Sequence, residues 1–398
     1  MTTLWNARLI DGPKVRSAVS VVVENGRVVS VGATVGSSPP PDAVDLTGRT
    51  IVPGLIDAHC HFMSDLERSP GFGPPPHRHG ESPRPRELGY FVLAASAEAI
   101  LRSGFTAIRD VGSYDDEALA ASKAVDLGIV PGPRIFSCGR IISATAPGGA
   151  IFGTMYREAN GPWEMREAVR EQIRRGAAFV KFMATGARSV VDEDPEPAQM
   201  TREEMAAIVD EAHRMGKRVA AHAEGLHGTK WAIEAGADSI EHGLSLHREP
   251  QLLDSMASRG VVLVPTLSTF HDLAERFSSD FAELLVEQAK RQLDEAYRTV
   301  DAARRAGVTM AVGYDSGPPG ASAQEILRLS EAGLGSLEAI AAATVGGAAA
   351  LGRDDLGRLV PGACADLVVV NGRPDEDLKL LARPDSFEFV MKDGAIVA

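Results

Sequence analysis

Two hydrophobic periods alternate along most of this chain. Short runs rich in β-branched and apolar residues read as strands: Gly54–Phe62, Phe105–Val111, Arg134–Ile142, Phe179–Thr185, Val219–Ala223, Ser239–His242, Val261–Leu267 and Met310–Tyr314. Between them lie stretches with helical spacing, notably Glu87–Arg102, Trp163–Arg175, Arg202–Met215, Gly228–Ala235 and Ala282–Arg305. The Arg202 helix opens on a capping box, Thr201-Arg-Glu-Glu204, and Gly216 sits where a C′ glycine belongs. Eight alternating units in about 300 residues predict an α/β fold of the (β/α)8 TIM barrel type. A doubly wound sheet would share the alternation, but no Gly-rich phosphate turn follows the first strand.

The ends of the chain follow a different pattern. Leu4–Ile10, Ala18–Glu24 and Arg27–Val31 alternate as half-buried strands, with Glu24-Asn-Gly-Arg27 as a hairpin turn and Ser37–Pro41 as a Pro-rich loop. Gly357–Pro361, Asp366–Val370, Phe387–Lys392 and Ala395–Val397 are again strand-like, with turns at Asn371-Gly and Asp393-Gly. Neither end alone buries much. Together they predict a small β-sandwich domain from residues 1–52 and 358–398, around a barrel spanning 53–357.

Composition narrows the function. The 398 residues carry a net charge of −13 and no basic run, which argues against nucleic acid or an anionic membrane as partner. Cys60, Cys138 and Cys364 are too few for a disulfide framework and fit a reducing cytoplasm. The opening residues lack a signal peptide's apolar core, and no run is long enough to span a bilayer. A cytoplasmic protein acting on a small molecule is expected, and a homo-oligomer is compatible with the sequence.

The chemistry starts at Pro53-Gly-Leu-Ile-Asp-Ala-His-Cys-His-Phe62. Residues i and i+2 of a strand share a face, so His59 and His61 aim at one point, while Cys60 turns away into packing. Lys181, His222, His242 and Asp315 stand at the ends of the fourth, fifth, sixth and eighth strands. In a barrel, all would face the same C-terminal mouth. Any one strand-end histidine is ordinarily a packing residue, and Asp315 beside Gly317 fits a turn cap. Lys181 is less ordinary, because an ammonium in an apolar strand needs a partner, a depressed pKa or modification. His77-Arg-His79 has the right spacing but lies among prolines and glycines, and is rejected as a metal site. His213 reads as surface or packing. His227, His247 and His271 are placed to line a pocket. Two long loops, around Pro70–Gly80 and Ala187–Ala198, would flank the mouth as lids or walls.

Gly54-Leu-Ile-Asp-Ala-His-Cys-His61, Lys181, His222, His242 and Asp315 resemble the amidohydrolase superfamily. Phe179-Val-Lys-Phe-Met-Ala-Thr-Gly186 and Ser239-Ile-Glu-His-Gly243 resemble its imidazolonepropionase-related group. The lysine-bearing branch of that group includes Xaa-Pro dipeptidases and ochratoxinase-like amidases. The resemblance implies two divalent metals, most simply zinc. His59, His61 and Asp315 would hold one, His222 and His242 the other, and N6-carboxylated Lys181 would bridge them. It also implies hydrolysis of an amide C–N bond, as in a peptide-like or N-acyl amino-acid substrate, with Asp315 as the proton carrier. Two positions depart from the dipeptidase-like pattern: Ala150 stands where a histidine usually follows Gly-Gly, and Glu224 where some relatives carry tyrosine. Both point away from an ordinary dipeptide. Arg140 and Arg188 are candidate partners for a substrate carboxylate, and Glu224 and His227 candidate substrate contacts. The alternatives are a mononuclear cyclic-amide hydrolase or deaminase, with Glu224 shuttling the proton, and a non-catalytic binding relative. Lys181 argues against the first, since one metal needs no bridge; the complete ligand set argues against the second.

Overall fold

The computed structural model describes residues 1–63, 87–187, 190, 192–276, 283–315 and 318–398. Its fold is mixed α/β, with parallel sheets carrying the candidate site residues. His77, His79 and Arg188 lie outside the described residues.

The first five strands are Thr2–Asp11 (β1), Lys14–Glu24 (β2), Arg27–Ala33 (β3), Val44–Asp45 (β4) and Arg49–Pro53 (β5). The chain then enters Leu55–Cys60 (β6), Phe105–Asp110 (β7) and Arg134–Ser137 (β8), which pair in parallel. Gly54 lets β6 begin against β7: a Cβ there would meet Thr106 Oγ1 at 2.2 Å. Next come Ile141–Ser143 (β9), Tyr156–Glu158 (β10), Val180–Met183 (β11), Val219–Ala223 (β12), Ser239–His242 (β13) and Val262–Val264 (β14). They form a second parallel sheet in the order β10-β9-β11-β12-β13-β14. The expected third strand, Arg134–Ile142, is thus two strands. Gly139, at φ +69°, breaks it, and its halves pair with different neighbours.

The expected eighth strand, Met310–Tyr314, makes only isolated bridges. They are well placed: Ala311 N donates to Leu263 O at 2.9 Å, and Ala58 N to Val312 O at 2.7 Å. The segment therefore ties β14 on one side to β6 on the other. Asp315 ends it in the left-handed region, at φ +66°.

Strands from both chain ends meet in one sheet. Leu367–Asn371 (β15), Phe387–Lys392 (β16) and Ala395–Ile396 (β17) extend it in the order β17-β16-β15-β5-β1-β2-β3, with β4 beside β1. Strand alternation splits its faces. Val52, Val368, Val370 and Val390 join the main core, while Ile51, Leu367, Val369 and Met391 build a second core with Leu9, Val21 and Leu359. Gly357–Pro361, expected as a strand, instead runs through turns and bends, with Gly357 at φ +67° and Pro361 lacking a donor.

Helices match their expected positions within a few residues. Arg202–Arg214 carries the reciprocal Thr201–Glu204 capping box. No described helix is long and apolar enough to cross a membrane, and none of the three cysteines forms a disulfide.

Candidate metal centre

Parallel strands place their C-terminal ends together, and one cavity of about 430 Å³ opens there. All six strand-end residues line it: His59, His61, Lys181, His222, His242 and Asp315. All are buried, with Lys181 only 2 % exposed. The donor atoms of His59, His61 and Asp315 lie within 4.8 Å of one another, and so do those of His222, Glu224 and His242. Two donors about 2.1 Å from a tetrahedral ion are about 3.4 Å apart. His61 Nε2 and Asp315 Oδ1 are separated by 3.5 Å, and His59 Nε2 and Asp315 Oδ1 by 3.8 Å. His222 Nε2 is 3.5 Å from Glu224 Oε1. The residues present therefore fit metal ions by donor type, spacing and burial.

The outer ring nitrogens of three histidines are engaged. His59 Nδ1 lies 2.7 Å from Glu241 Oε2, and His61 Nδ1 2.7 Å from Gly112 O. His242 Nδ1 is 2.7 Å from Thr266 Oγ1. With the proton on Nδ1, each Nε2 carries its lone pair toward the cavity, the form a metal ligand needs. Burial, with the nearby Lys181 charge second, holds the His59 imidazole well below its usual pKa, which favours that neutral ring.

Backbone supports converge on the same residues. Asp57 Oδ1 accepts from His59 N at 2.9 Å, and Asp315 N donates to His59 O at 2.7 Å. Asp110 accepts from Phe62 N at 3.0 Å and from Ser137 Oγ at 2.6 Å. Burial pushes Asp57 up to about 6 and Asp110 up to about 7. His242, Thr266 and Asp315 are non-glycine residues at φ +71°, +50° and +66°. Left-handed backbone costs energy for such residues and recurs at functional sites.

Lys181 is the only described lysine or arginine lining the cavity. Burial lowers its pKa, opposed first by the charge of Glu241. The remaining wall is apolar: Ile141, Phe152, Met155, Tyr156, Met183 and Ala187. Phe152 and Tyr156 stack at 5.0 Å between ring centroids.

Of the other described sequence candidates, only Glu224 reaches the cavity. His227 is exposed on the helix Leu226–Ala235 and is not among the lining residues. Arg140 is also absent from the lining; its guanidinium pairs with Asp115 at 3.2 Å. The reason is the break at Gly139, which ends the strand that would have aimed Arg140 inward. His213 binds Asp238 at 2.8 Å, and His247 meets Thr299 at 3.0 Å, both outside the cavity lining. Cys60 turns its Sγ toward Arg109 O at 3.6 Å, in keeping with a packing role.

The family model for the amidohydrolase family matches residues 50–397. The chain belongs to that family. It is 31 % identical to the ochratoxinase of Aspergillus niger over 434 aligned positions, covering 100 % of this chain and 86 % of the relative. Among solved structures, a Xaa-Pro dipeptidase with bound methionine superposes with a TM-score of 0.86 at 30 % identity, covering 99 % of each chain. A prolidase complexed with N-methylphosphonate-L-proline gives 0.87 at 29 %, covering 99 % of this chain and 98 % of that one. The protein is accordingly an amidohydrolase, a hydrolase of carbon–nitrogen bonds.

Sequence reasoning missed Glu241, Arg109 and Thr266, which hold the histidines, and the apolar wall. Two signals were present. Glu241 directly precedes a candidate ligand, and Arg109 shares a strand face with Phe105 and Ala107, an odd place for an exposed arginine.

Proposed function

We propose that this amidohydrolase carries a binuclear metal centre and hydrolyses an amide C–N bond of a peptide-like or N-acyl amino-acid compound. The observation that carries the reading is one buried cavity lined by two three-donor groups together with a buried lysine. The two parallel sheets, joined through residues 310–315, read as one (β/α)8 barrel over 53–357. The terminal strands, with a core of their own, read as a small β-sandwich domain.

In this reading His59, His61 and Asp315 would hold one ion, and His222 and His242 the other. Lys181 would serve both ions as a carbamate, its neutral amine having added carbon dioxide and lost a proton. Its buried position favours the neutral amine that this addition needs. Two divalent cations, most simply zinc, would lower the pKa of a shared water and polarise the scissile carbonyl. Asp315 takes the proton released as the water oxygen attacks the carbonyl carbon, and delivers it to the nitrogen as the C–N bond breaks. The wall of Ile141, Phe152, Met155, Tyr156 and Met183 excludes water and receives an apolar part of the substrate.

Metal analysis together with a screen of dipeptides, N-acyl amino acids, lactams and carbamates tests this. Two metals per chain and turnover of an amide are expected. One tight metal per chain, undiminished by Lys181→Ala, would sink the bridged site. That result would favour the mononuclear reading, a cyclic-amide hydrolase or deaminase with Glu224 shuttling the proton. Glu224 has the position for it, in the cavity and 3.5 Å from His222.

A further inference from the structure

A closed ring of polar groups lies behind the first histidine. Glu241 is fully buried, and its two oxygens do different work. Oε2 meets His59 Nδ1 at 2.7 Å, while Oε1 accepts from Arg109 Nη2 at 2.7 Å and from Ser239 Oγ at 2.6 Å. Arg109 is 3 % exposed. Its Nη1 donates to Ser239 Oγ at 3.0 Å, and its Nε donates to Ala58 O at 2.5 Å, one residue before His59. Its guanidinium lies 5.3 Å from the centroid of the Phe179 ring. Arg109 thus fixes His59 twice, through the backbone at Ala58 and through the carboxylate on the ring.

An unpaired arginine or glutamate at this depth would be strongly destabilising, and even the pair gives little net stability over an apolar replacement. A purely structural role therefore accounts poorly for it. The backbone points the same way. Consecutive strand residues face opposite sides. Here Glu241 reaches His59 while His242, the next residue, lines the same cavity. The left-handed φ of +71° at His242 brings both inward.

We propose that Glu241, held by Arg109 and Ser239, is a positioning residue. It fixes the Nδ1–H tautomer and ring orientation of His59 and so sets the affinity of one metal site and not the other. This rests on the binuclear reading above. The ring spans three strands, β6, β7 and β13, so it also locks the strand of the first histidine pair to the strand that supplies His242.

The test uses the full-length protein, stripped and reloaded with zinc, and follows chelator competition alongside bound metal per chain. Glu241→Gln keeps an acceptor but removes the charge. Because that variant leaves Arg109 unpaired, the double variant Arg109→Met with Glu241→Gln removes both charges and keeps the volume. Near-ultraviolet circular dichroism establishes that each is folded. In both, one zinc should bind about 10- to 100-fold more weakly and the other as in wild type. The visible spectrum of the cobalt-loaded variants should differ from wild type. Wild-type affinity for both zincs in the folded double variant overturns the proposal, as does an equal loss at both sites. A wild-type protein that binds no zinc overturns the binuclear reading itself, a separate and recognisable result.

Discussion

Lys181→Met separates the two fates open to a buried lysine. Methionine keeps the length and the apolar stem but carries neither an ammonium nor a carbamate. Lys181 is 2 % exposed, and burial lowers its pKa. The folded state then holds a neutral amine, or a poorly solvated ammonium, where the unfolded chain holds a solvated one. At pH 7 that penalty is bounded by deprotonating an amine of ordinary pKa 10.5, about 4.8 kcal/mol. Attraction from Glu241 and Asp315 reduces it. The metal-free variant should therefore be more stable than metal-free wild type, by about 1–4 kcal/mol. The sign with pH follows. A lysine whose folded pKa is depressed loses stability below its unfolded value and recovers it as pH rises toward that value. The gap between variant and wild type should thus narrow from pH 7 to pH 9.5, where the bound falls to about 1.4 kcal/mol. With metal the variant's advantage should shrink by a fixed amount. Losing a bridging ligand that is worth 100-fold in affinity removes about 2.7 kcal/mol of linked stability. Urea unfolding of both forms at three pH values, with bound metal measured in parallel, reads all of this. A metal-free variant less stable than wild type would refute the burial argument, and a variant holding two metals at wild-type affinity would refute the bridge.

Three further outcomes are expected. Asp315→Asn should lower kcat by about 10²- to 10⁴-fold while circular dichroism stays unchanged; near-normal turnover would remove Asp315 from its proposed role. Gly313→Ala should disturb the site from behind, because the new Cβ would stand 2.6 Å from His59 Cβ and 2.5 Å from Val264 Cγ1. A loss of about 1–3 kcal/mol in stability with weakened metal binding is expected, and wild-type values for both would contradict it. Glu325 is fully buried, accepts from Leu267 N and Ser268 N, and is pushed by burial up to about 8. Between its ordinary value of 4.5 and about 8 the folded state keeps a proton that the unfolded chain has lost, so stability should fall as pH rises through that window. In metal-free Glu325→Gln that fall should be shallower, and unfolding midpoints as steep as in wild type would count against it.

What was legible in the sequence depended on whether local rules acted alone. Strand alternation placed His59 and His61 together and turned Cys60 away, because that strand obeys the two-residue period through Cys60. It failed where the backbone leaves the β region. The break at Gly139 sent Arg140 to Asp115, and no hydrophobic pattern marks that break. At His242 the same kind of departure worked in the opposite direction. Alternation would place Glu241 and His242 on opposite faces, yet Glu241 supports His59 while His242 lines the cavity. A left-handed histidine there is supported by long-range contacts, its Nδ1 on Thr266 and its strand between β12 and β14. Strand alternation carries no record of such contacts. Ligands that sit on regular strands are therefore open to sequence reasoning, while the groups that aim them depend on strained backbone and on partners far along the chain. The support for His59 shows the distance involved: Glu241 lies 182 residues away from it in sequence, and 2.7 Å away in space.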